Sequence, residues 1–314
     1  MKNINKENSW EIHENPEQTV EIVGSLEGAL NSKNVDEVQK ILQDPENLRS
    51  LIERRGEKDS SHDLLEKGFN ALFQEKFGPI DIYHCQGSEV IDFIHEYNLP
   101  EQILIEYLGV AYHRRDKALL NRLKTIIFEN EDQLENKSIV AAVLHNIASW
   151  KSSIDGNTAE SLDFNKQALD AANKAKDLVL VEKIKYGFTY NKDLKPKDKA
   201  IGFSDIAERM EALDHKYDAM KARVDEALAH IELAKRQKNA KQSSERKDNL
   251  DIALELIKAA YNYATFKEIS NLEVMALDAF SKVYEEMGDK EKTKRNQHRA
   301  DLAREKYSYL TKRT

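Results

Sequence analysis

The sequence predicts an all-α fold, and three observations support this prediction. Apolar residues recur at spacings of three and four, which is the period of one helix face. Only five prolines and eleven glycines occur in 314 residues, with no proline after Pro196 and no glycine between Gly202 and Gly288. Alternating apolar and polar residues, the pattern of a half-buried strand, are scarce. Helix breakers and hairpin turns are therefore too rare for a β-rich fold.

The first hundred residues predict a short tail and an acidic helical module. Residues 1–15 are polar and are predicted to be a disordered tail, and 16–99 are predicted to form the module. Residues 1–100 contain ten Lys/Arg and twenty Asp/Glu. This acidic balance disfavours a DNA-binding head, because phosphate contacts need basic residues.

Capping and breaking residues divide this module into helices. Asn34 is placed to cap one helix, and Pro45 is placed to begin the next at its first turn. Gly78 and Pro79 end a later helix. Residues 80–87 are the one place where a short extended segment is predicted.

Residues 100–314 repeat a helical packing pattern and are predicted to be a repeat domain. Each copy contains a large residue, followed by a second large residue that directly precedes a small one. An aromatic residue usually follows three positions after the small residue. On a helix, the large residues share one packing face, and a neighbouring helix can approach closely at the small residue. The copies are LIEYLGVAY (104–112), LHNIASW (144–150), KIKYGFTY (183–190) and LDAFSKVY (277–284).

A second helix is predicted after each copy, and two small residues seven positions apart mark it. Gly156-Asn157 and Gly288-Asp289 are the predicted turns between the paired helices. The small pairs are Ser161/Ala168, Ala200/Ala207 and Ala253/Ala260, with weaker pairs at Ala118/Thr125 and Thr293/Ala300.

This pattern resembles the tetratricopeptide repeat, with 271–304 as the best single match. The second small residues of successive copies are 39 to 53 residues apart, whereas the family's period is 34. The units are therefore long and irregular. The resemblance implies a right-handed α-solenoid of about five helix pairs after the small helical module. The predicted units are 100–137, 138–176, 177–215, 216–266 and 267–308.

The resemblance also implies a binding surface. In such solenoids the first helices line the inner face, which is the usual contact surface for an extended peptide or a partner helix. The residues predicted to form this surface are Glu106, His113, Arg114, His145, Ser149, Phe188, Asn191 and Lys192.

Motifs of enzyme chemistry do not occur in the sequence. There is no phosphate-binding glycine loop, no H-E-x-x-H, no paired C-x-x-C and no G-x-S-x-G elbow. His84 and Cys85 are adjacent, but neighbours in sequence rarely point at one another, so a thiol nucleophile is not predicted. We therefore predict no enzyme activity, no cofactor and no metal, with an enzyme built from scattered residues kept as an alternative.

Cysteine usage and hydropathy predict a cytoplasmic protein. Cys85 is the single cysteine, which fits a reducing compartment, and no apolar run suits a signal peptide or a membrane span. The segment 234–248 holds six basic and two acidic residues, and 290–314 holds nine and three. RNA binding through these segments is disfavoured for 234–248, because that run contains no aromatic residue on which a base could stack.

The predicted function is a non-enzymatic scaffold or adaptor that binds another protein or an extended peptide. The alternative is a peptide-switched regulator that binds a signalling protein or its phosphorylated form. The long units resemble those of bacterial peptide-sensing regulators, which join a helical N-terminal module to five such repeats. A homodimer is left open.

Overall fold

The structure, a computed structural model, describes residues 16–44, 47, 61–78, 82–190, 194–239, 243–267 and 269–306. Within these ranges the chain forms fourteen α-helices and one short 3₁₀ turn at Glu131–Gln133, with no strand. The predicted all-α class is confirmed. The predicted tail and the helix start at Pro45 lie outside the described residues.

The helices are α1 (Pro16–Asn31), α2 (Val35–Gln43), α3 (Ser61–Phe77), α4 (Gly87–Glu96), α5 (Gln102–Arg114), α6 (Lys117–Glu129), α7 (Ser138–Ser153), α8 (Thr158–Ala175), α9 (Leu178–Thr189), α10 (Pro196–Ala212), α11 (Lys216–Asn239), α12 (Ser243–Phe266), α13 (Ser270–Met287) and α14 (Lys290–Lys306).

The helices pack in the order of the sequence. Consecutive helices pack side by side in α1–α2, α5–α6, α7–α8, α10–α11, α11–α12, α12–α13 and α13–α14. Odd-numbered helices also contact the next odd-numbered helix in α1–α3, α3–α5, α5–α7 and α11–α13. The described residues fall into two compact units that divide between Ile184 and Lys185. The predicted domain boundary at residue 99 stays a prediction.

The small residues of the second helices are buried at helix contacts, as predicted for three of the pairs. Ala168, Ala207, Ala260 and Ala300 have no exposed surface, and Ser161, Ala200 and Ala253 are also buried. The weaker pair Ala118/Thr125 is wrong, because both residues are exposed. In α6 the packing face consists of large residues instead, namely Leu119, Leu123, Ile126 and Ile127.

A single type of turn ends many of the helices. The residue after the helix has a positive φ, and the next backbone N–H donates to the carbonyl five residues back, as in a Schellman motif. The predicted turn at Gly288-Asp289 has this form, with φ 80° at Gly288 and a 3.0 Å bond from the Asp289 N–H to the Tyr284 carbonyl. The same turn occurs with positive φ at Lys33, Asn98, Arg115, Lys176 and Asp214.

Side-chain caps are present at several helix starts, among them the predicted cap at Asn34. The Asn34, Asp116 and Asn157 side chains each accept a hydrogen bond from the backbone N–H three residues later. These bonds satisfy donors that have no partner inside the helix. Because Asp116 follows the left-handed Arg115 directly, one helix ends and the next begins within two residues.

Aromatic side chains form the core of the unit before residue 184. Phe69 and Phe73 of α3 contact the ring of Phe93 of α4 edge-on, at centroid distances of 5.4 and 5.1 Å. Tyr107 of α5 packs against Phe69 at 5.0 Å, and its hydroxyl donates to the Asn70 side chain. These rings join three helices around one buried cluster.

The predicted extended segment 80–87 is wrong in its described part. Residues 82–85 form turns and α4 begins at Gly87, while 80 and 81 lie outside the described residues. Arg122 of α6 holds these turns, because its Nε donates to the Ile82 carbonyl at 2.8 Å and its Nη2 donates to the Cys85 carbonyl. A side chain distant in sequence thus satisfies carbonyls that a strand would have paired.

A buried carboxylate joins α4, α5 and the turn before α7. Glu101 is 7% exposed. Its Oε1 accepts from the Glu135 backbone N–H at 2.9 Å and lies 2.8 Å from His95 Nε2, and its Oε2 accepts from the Asn136 backbone N–H at 2.8 Å. These contacts satisfy both oxygens and fix the loop that leads into α7.

Replacing Glu101 by Ala is expected to lower the free energy of unfolding by about 1–3 kcal/mol, because two partly buried backbone N–H groups lose their acceptor. Urea unfolding followed by circular dichroism measures this change. Glu131→Ala, at an exposed position, is the matched control and is expected to stay within about 0.5 kcal/mol of wild type. Equal effects of the two variants would contradict the structural role of Glu101.

The exposed Lys176 is expected to be improved by glycine. Its φ of 59° is unfavourable for a residue with a Cβ and costs glycine nothing. Lys176→Gly is expected to raise the free energy of unfolding by about 0.5–1 kcal/mol. The control Lys174→Gly, two residues earlier and inside α8, is expected to lower it by about 0.5–1 kcal/mol. Urea midpoints that move in the same direction for both variants would count against the αL turn.

Candidate functional site

An open groove of about 510 Å³ lies in the unit after residue 185. Its two walls come from α10 and α12, and its floor comes from α11, which packs against both. The residues that line it are Lys197, Ala200, Ile201 and Ser204 of α10, Glu226, His230, Leu233 and Gln237 of α11, and Glu245, Asp248 and Asn249 of α12.

A chain of hydrogen bonds orders the polar part of the groove. The Gln237 Nε2 donates to the Glu245 carboxylate at 3.1 Å, so its Oε1 is free to accept from Asn249 Nδ2 at 3.0 Å. The same Asn249 nitrogen donates to the Glu245 backbone carbonyl at 2.9 Å. The Asn249 Oδ1 then faces His230 Nδ1 at 2.6 Å. Because the Glu245 carboxylate can only accept, it fixes the orientation of the Gln237 amide, and Gln237 in turn fixes that of Asn249.

This chain also fixes the tautomer of His230. Because Asn249 Oδ1 can only accept, His230 Nδ1 must donate the hydrogen bond between them. In the neutral ring the proton is therefore on Nδ1, and Nε2 presents a lone pair. The groove floor thus offers a hydrogen-bond acceptor at a histidine.

A second contact set fixes α11 against α10. The Arg223 Nη1 donates to the Glu226 Oε2 at 3.0 Å and contacts the Ser204 hydroxyl at 3.4 Å. Glu226 is buried, so this ion pair neutralises a carboxylate that would otherwise be costly to bury. The charge of Glu226 is consequently balanced inside the protein.

The apolar surface of the groove lies mainly on the α10 wall. Ile201 is 52% exposed and gives this wall an accessible apolar side chain. Ala200 and Leu233 continue this surface toward the floor. The opposite wall carries the exposed carboxylates of Glu245 and Asp248. The groove therefore has one apolar and one acidic side.

Three basic residues near the groove are paired with carboxylates that do not line it. Lys235 of α11 lies 3.7 Å from the Glu286 carboxylate of α13. The Arg246 guanidinium lies 3.8 Å from the same carboxylate and also donates to the Glu286 carbonyl. Arg236 pairs with Glu232 on its own helix at 2.8 Å. Three of the six basic residues of 234–248 are therefore paired with carboxylates outside the groove lining.

A buried tyrosine–aspartate cluster attaches the end of α9 to α10 and α11. Tyr186 on α9 and Tyr190, which directly follows α9, donate from their hydroxyls to the two oxygens of Asp225 on α11; the Tyr190 bond is 2.6 Å. Both rings pack on Phe203 of α10 at 5.4 Å. Gly202 lets the two helices approach, since a Cβ there would lie 2.9 Å from the Thr189 methyl.

Burial shifts the ionisation of this cluster. It raises the pKa of the Asp225 carboxyl, and the two tyrosine hydroxyls, with Lys221 and Lys282, only partly oppose this. Burial, together with the charge of Asp225, also raises the pKa of Tyr186 and of Tyr190. Every oxygen of the cluster has a hydrogen-bond partner, so the cluster holds α10 and α11 together with the end of α9.

The predicted surface residues whose side chains the structure describes, His145, Ser149 and Phe188, do not line this groove. Glu106, His113 and Arg114 belong to α5, but their side chains lie outside the described set, as do residues Asn191 and Lys192 entirely. The structure brings His145 and Ser149 together, one turn apart on α7. His145 Nδ1 lies 3.0 Å from Asn165 Oδ1, and the Ser149 hydroxyl donates to the His145 carbonyl. Phe188 is half-buried on α9. Their role in binding stays a prediction.

The repeat pattern predicted a binding surface on the first helix of each pair. It missed this groove because the groove walls are second helices. His230 and Asn249 are nineteen residues apart and no motif links them. One signal was available. Ile201 interrupts the polar face of α10, at a position where the repeat pattern requires no large residue.

Among the described residues, no group of three His, Cys, Asp or Glu is arranged to hold a metal ion. No described helix is long and apolar enough to cross a bilayer. No protein-family model, curated protein or solved structure matches this chain.

The pH dependence of stability is expected to report the buried Asp225. Because its pKa is higher in the folded than in the unfolded protein, the folded state binds more protons between the two pKa values. The contribution of Asp225 to stability is therefore present below the unfolded pKa, near 4, and is lost as the pH rises through the folded pKa. The substitution Asp225→Asn puts an amide at this position, and the amide does not titrate.

We expect the stability of wild type relative to Asp225→Asn to decrease as the pH rises from about 4 through that window. Urea unfolding of both proteins over a pH series measures this difference. Tyr186→Phe removes a hydrogen bond that lowers the pKa of Asp225, so the pKa of Asp225 should rise further. The pH range over which the relative stability falls should then extend to higher pH. A difference that is constant or grows with pH would show that Asp225 is not held as described.

Proposed function

We propose that this chain is a helical-repeat protein without catalytic activity that binds an extended segment of another protein in the groove between α10 and α12. The groove itself supports the proposal. It is open, it has an exposed isoleucine on one wall, and its polar floor is ordered by hydrogen bonds that need no ligand. Peptide sites combine a few apolar anchors with a small number of positioned polar groups.

In the proposed architecture the helix pairs stack as a right-handed solenoid. The contacts between successive odd-numbered helices and the buried alanines of the second helices support this arrangement within each unit. The groove follows from it, because α10 and α12 are the second helices of adjacent predicted pairs. The inner surface formed by the first helices, with His145 and Ser149, is the alternative position for the same function.

The experiment is a selection from a randomised twelve-residue peptide display library on the immobilised full-length chain. Enriched peptides are synthesised with a fluorophore, and their affinity is measured by fluorescence anisotropy. We expect dissociation constants in the micromolar range, on the order of 8 kcal/mol of binding free energy, as for a single peptide in an open groove.

Three variants locate the site. Ile201→Asp, in the groove, is expected to weaken binding at least about tenfold, since it removes an apolar anchor and adds a charge that the bound peptide would bury. Leu302→Asp is the matched control, because Leu302 is 50% exposed on α14. It is expected to bind as wild type does. Loss of binding in His145→Ala, with Ile201→Asp unaffected, would move the site to the first helices. Failure to enrich any peptide would overturn the proposed function.

A further inference from the structure

We propose that the segment bound in this groove presents an arginine or lysine side chain to the α12 wall and an apolar side chain to the α10 wall. This inference rests on the proposed function and specifies its ligand. The occupant is thus a basic, amphipathic segment of a partner protein. The hydrogen-bonding character, the charge and the apolar surface of the lining residues all point to this occupant.

The polar groups available to a ligand are mostly acceptors. His230 Nε2 presents a lone pair, because its other nitrogen donates to Asn249. Both N–H groups of the Asn249 amide and one of the two of Gln237 are already used as donors inside the network. Glu245 and Asp248 add carboxylate oxygens. Arginine and lysine side chains carry only donors, so they match such a surface.

The net charge of the free lining groups is negative. Glu226 is neutralised by Arg223, which leaves the carboxylates of Glu245 and Asp248 opposite the single ammonium of Lys197. The neighbouring Lys235 and Arg246 are held by Glu286 and do not neutralise this wall. A cationic side chain would therefore be attracted to α12, and Lys197 would direct it away from the α10 side.

The apolar wall requires the ligand to be amphipathic. Ile201 is half exposed on α10, across the groove from the carboxylates of α12. A segment that carries an apolar side chain beside its basic one would contact both walls at once.

The test uses the most enriched library peptide, synthesised in two forms. In one form its basic residue is arginine, and in the other it is citrulline, which has the same shape and no charge. Anisotropy titrations are made with the wild-type chain, Asp248→Asn, Lys197→Gln and the control Asp170→Asn on the exposed surface of α8.

We expect Asp248→Asn to weaken the arginine peptide about five- to tenfold and to leave the citrulline peptide unchanged, because a charge pair at a partly exposed site is lost. Lys197→Gln should tighten the arginine peptide, since it removes a repelling charge. Asp170→Asn should have no effect. Raising the salt concentration should weaken the arginine peptide more than the citrulline peptide.

Several results would overturn the inference. Enriched peptides that lack basic residues, or equal affinities of the arginine and citrulline forms, would show that the groove selects something else, while the proposed peptide-binding function would stand. If Asp248→Asn weakened the binding of both peptides equally, the substitution would have acted through the structure of the groove and not through its charge. A library that yields no peptide would remove the proposed function and this inference together.

Discussion

The close approach of neighbouring helices at small residues is the constraint on which this structure depends. Ala168, Ala207, Ala260 and Ala300 are completely buried, each at the contact of a second helix with the element packed on it. A larger side chain there would force the axes apart, and the resulting strain typically costs about 1–3 kcal/mol. The large residues then fill the space between these points of contact. The same rule, applied pair after pair, yields helices that pack in sequence order.

The groove is a consequence of this packing. Because α11 contacts both α10 and α12, it separates two second helices and leaves its outer surface as a floor between them. Polar groups on such a floor would lower the stability of the fold if they lacked hydrogen-bond partners. Here the Glu245–Gln237–Asn249–His230 chain satisfies them in advance, and the Tyr186–Tyr190–Asp225 cluster joins α10 and α11 to the end of α9. The groove is thus ordered before any ligand arrives, which reduces the entropic cost of binding.

Charge is separated within this unit in a way that composition alone does not show. The run 234–248 is basic in sequence, yet Lys235 and Arg246 turn toward Glu286 of α13, while Glu245 and Asp248 line the groove. Residues that are neighbours on a helix point in different directions, one turn being 3.6 residues. A net charge summed over such a segment therefore does not describe either of the surfaces that it contributes to.

The sequence by itself determined the helical class, many of the helix limits and the buried small residues. Periodicity and capping are local properties, so Asn34, Asn157 and the Gly288 turn could be recognised without knowing any tertiary contact. The sequence misjudged Ala118 and Thr125, because the same spacing of small residues arises on an exposed face. It also missed the left-handed turns at Lys33, Arg115, Lys176 and Asp214, which lack the glycine that marks such turns.

Only the tertiary structure decided where a ligand could bind. The groove needs side chains from three helices, and His230 meets Asn249 because α11 and α12 pack together, a relation that no local pattern encodes. The fold class follows from which residues prefer to be buried, and that preference is present in every residue. A site follows from which buried and exposed residues become neighbours, and that is fixed only when the whole chain has packed.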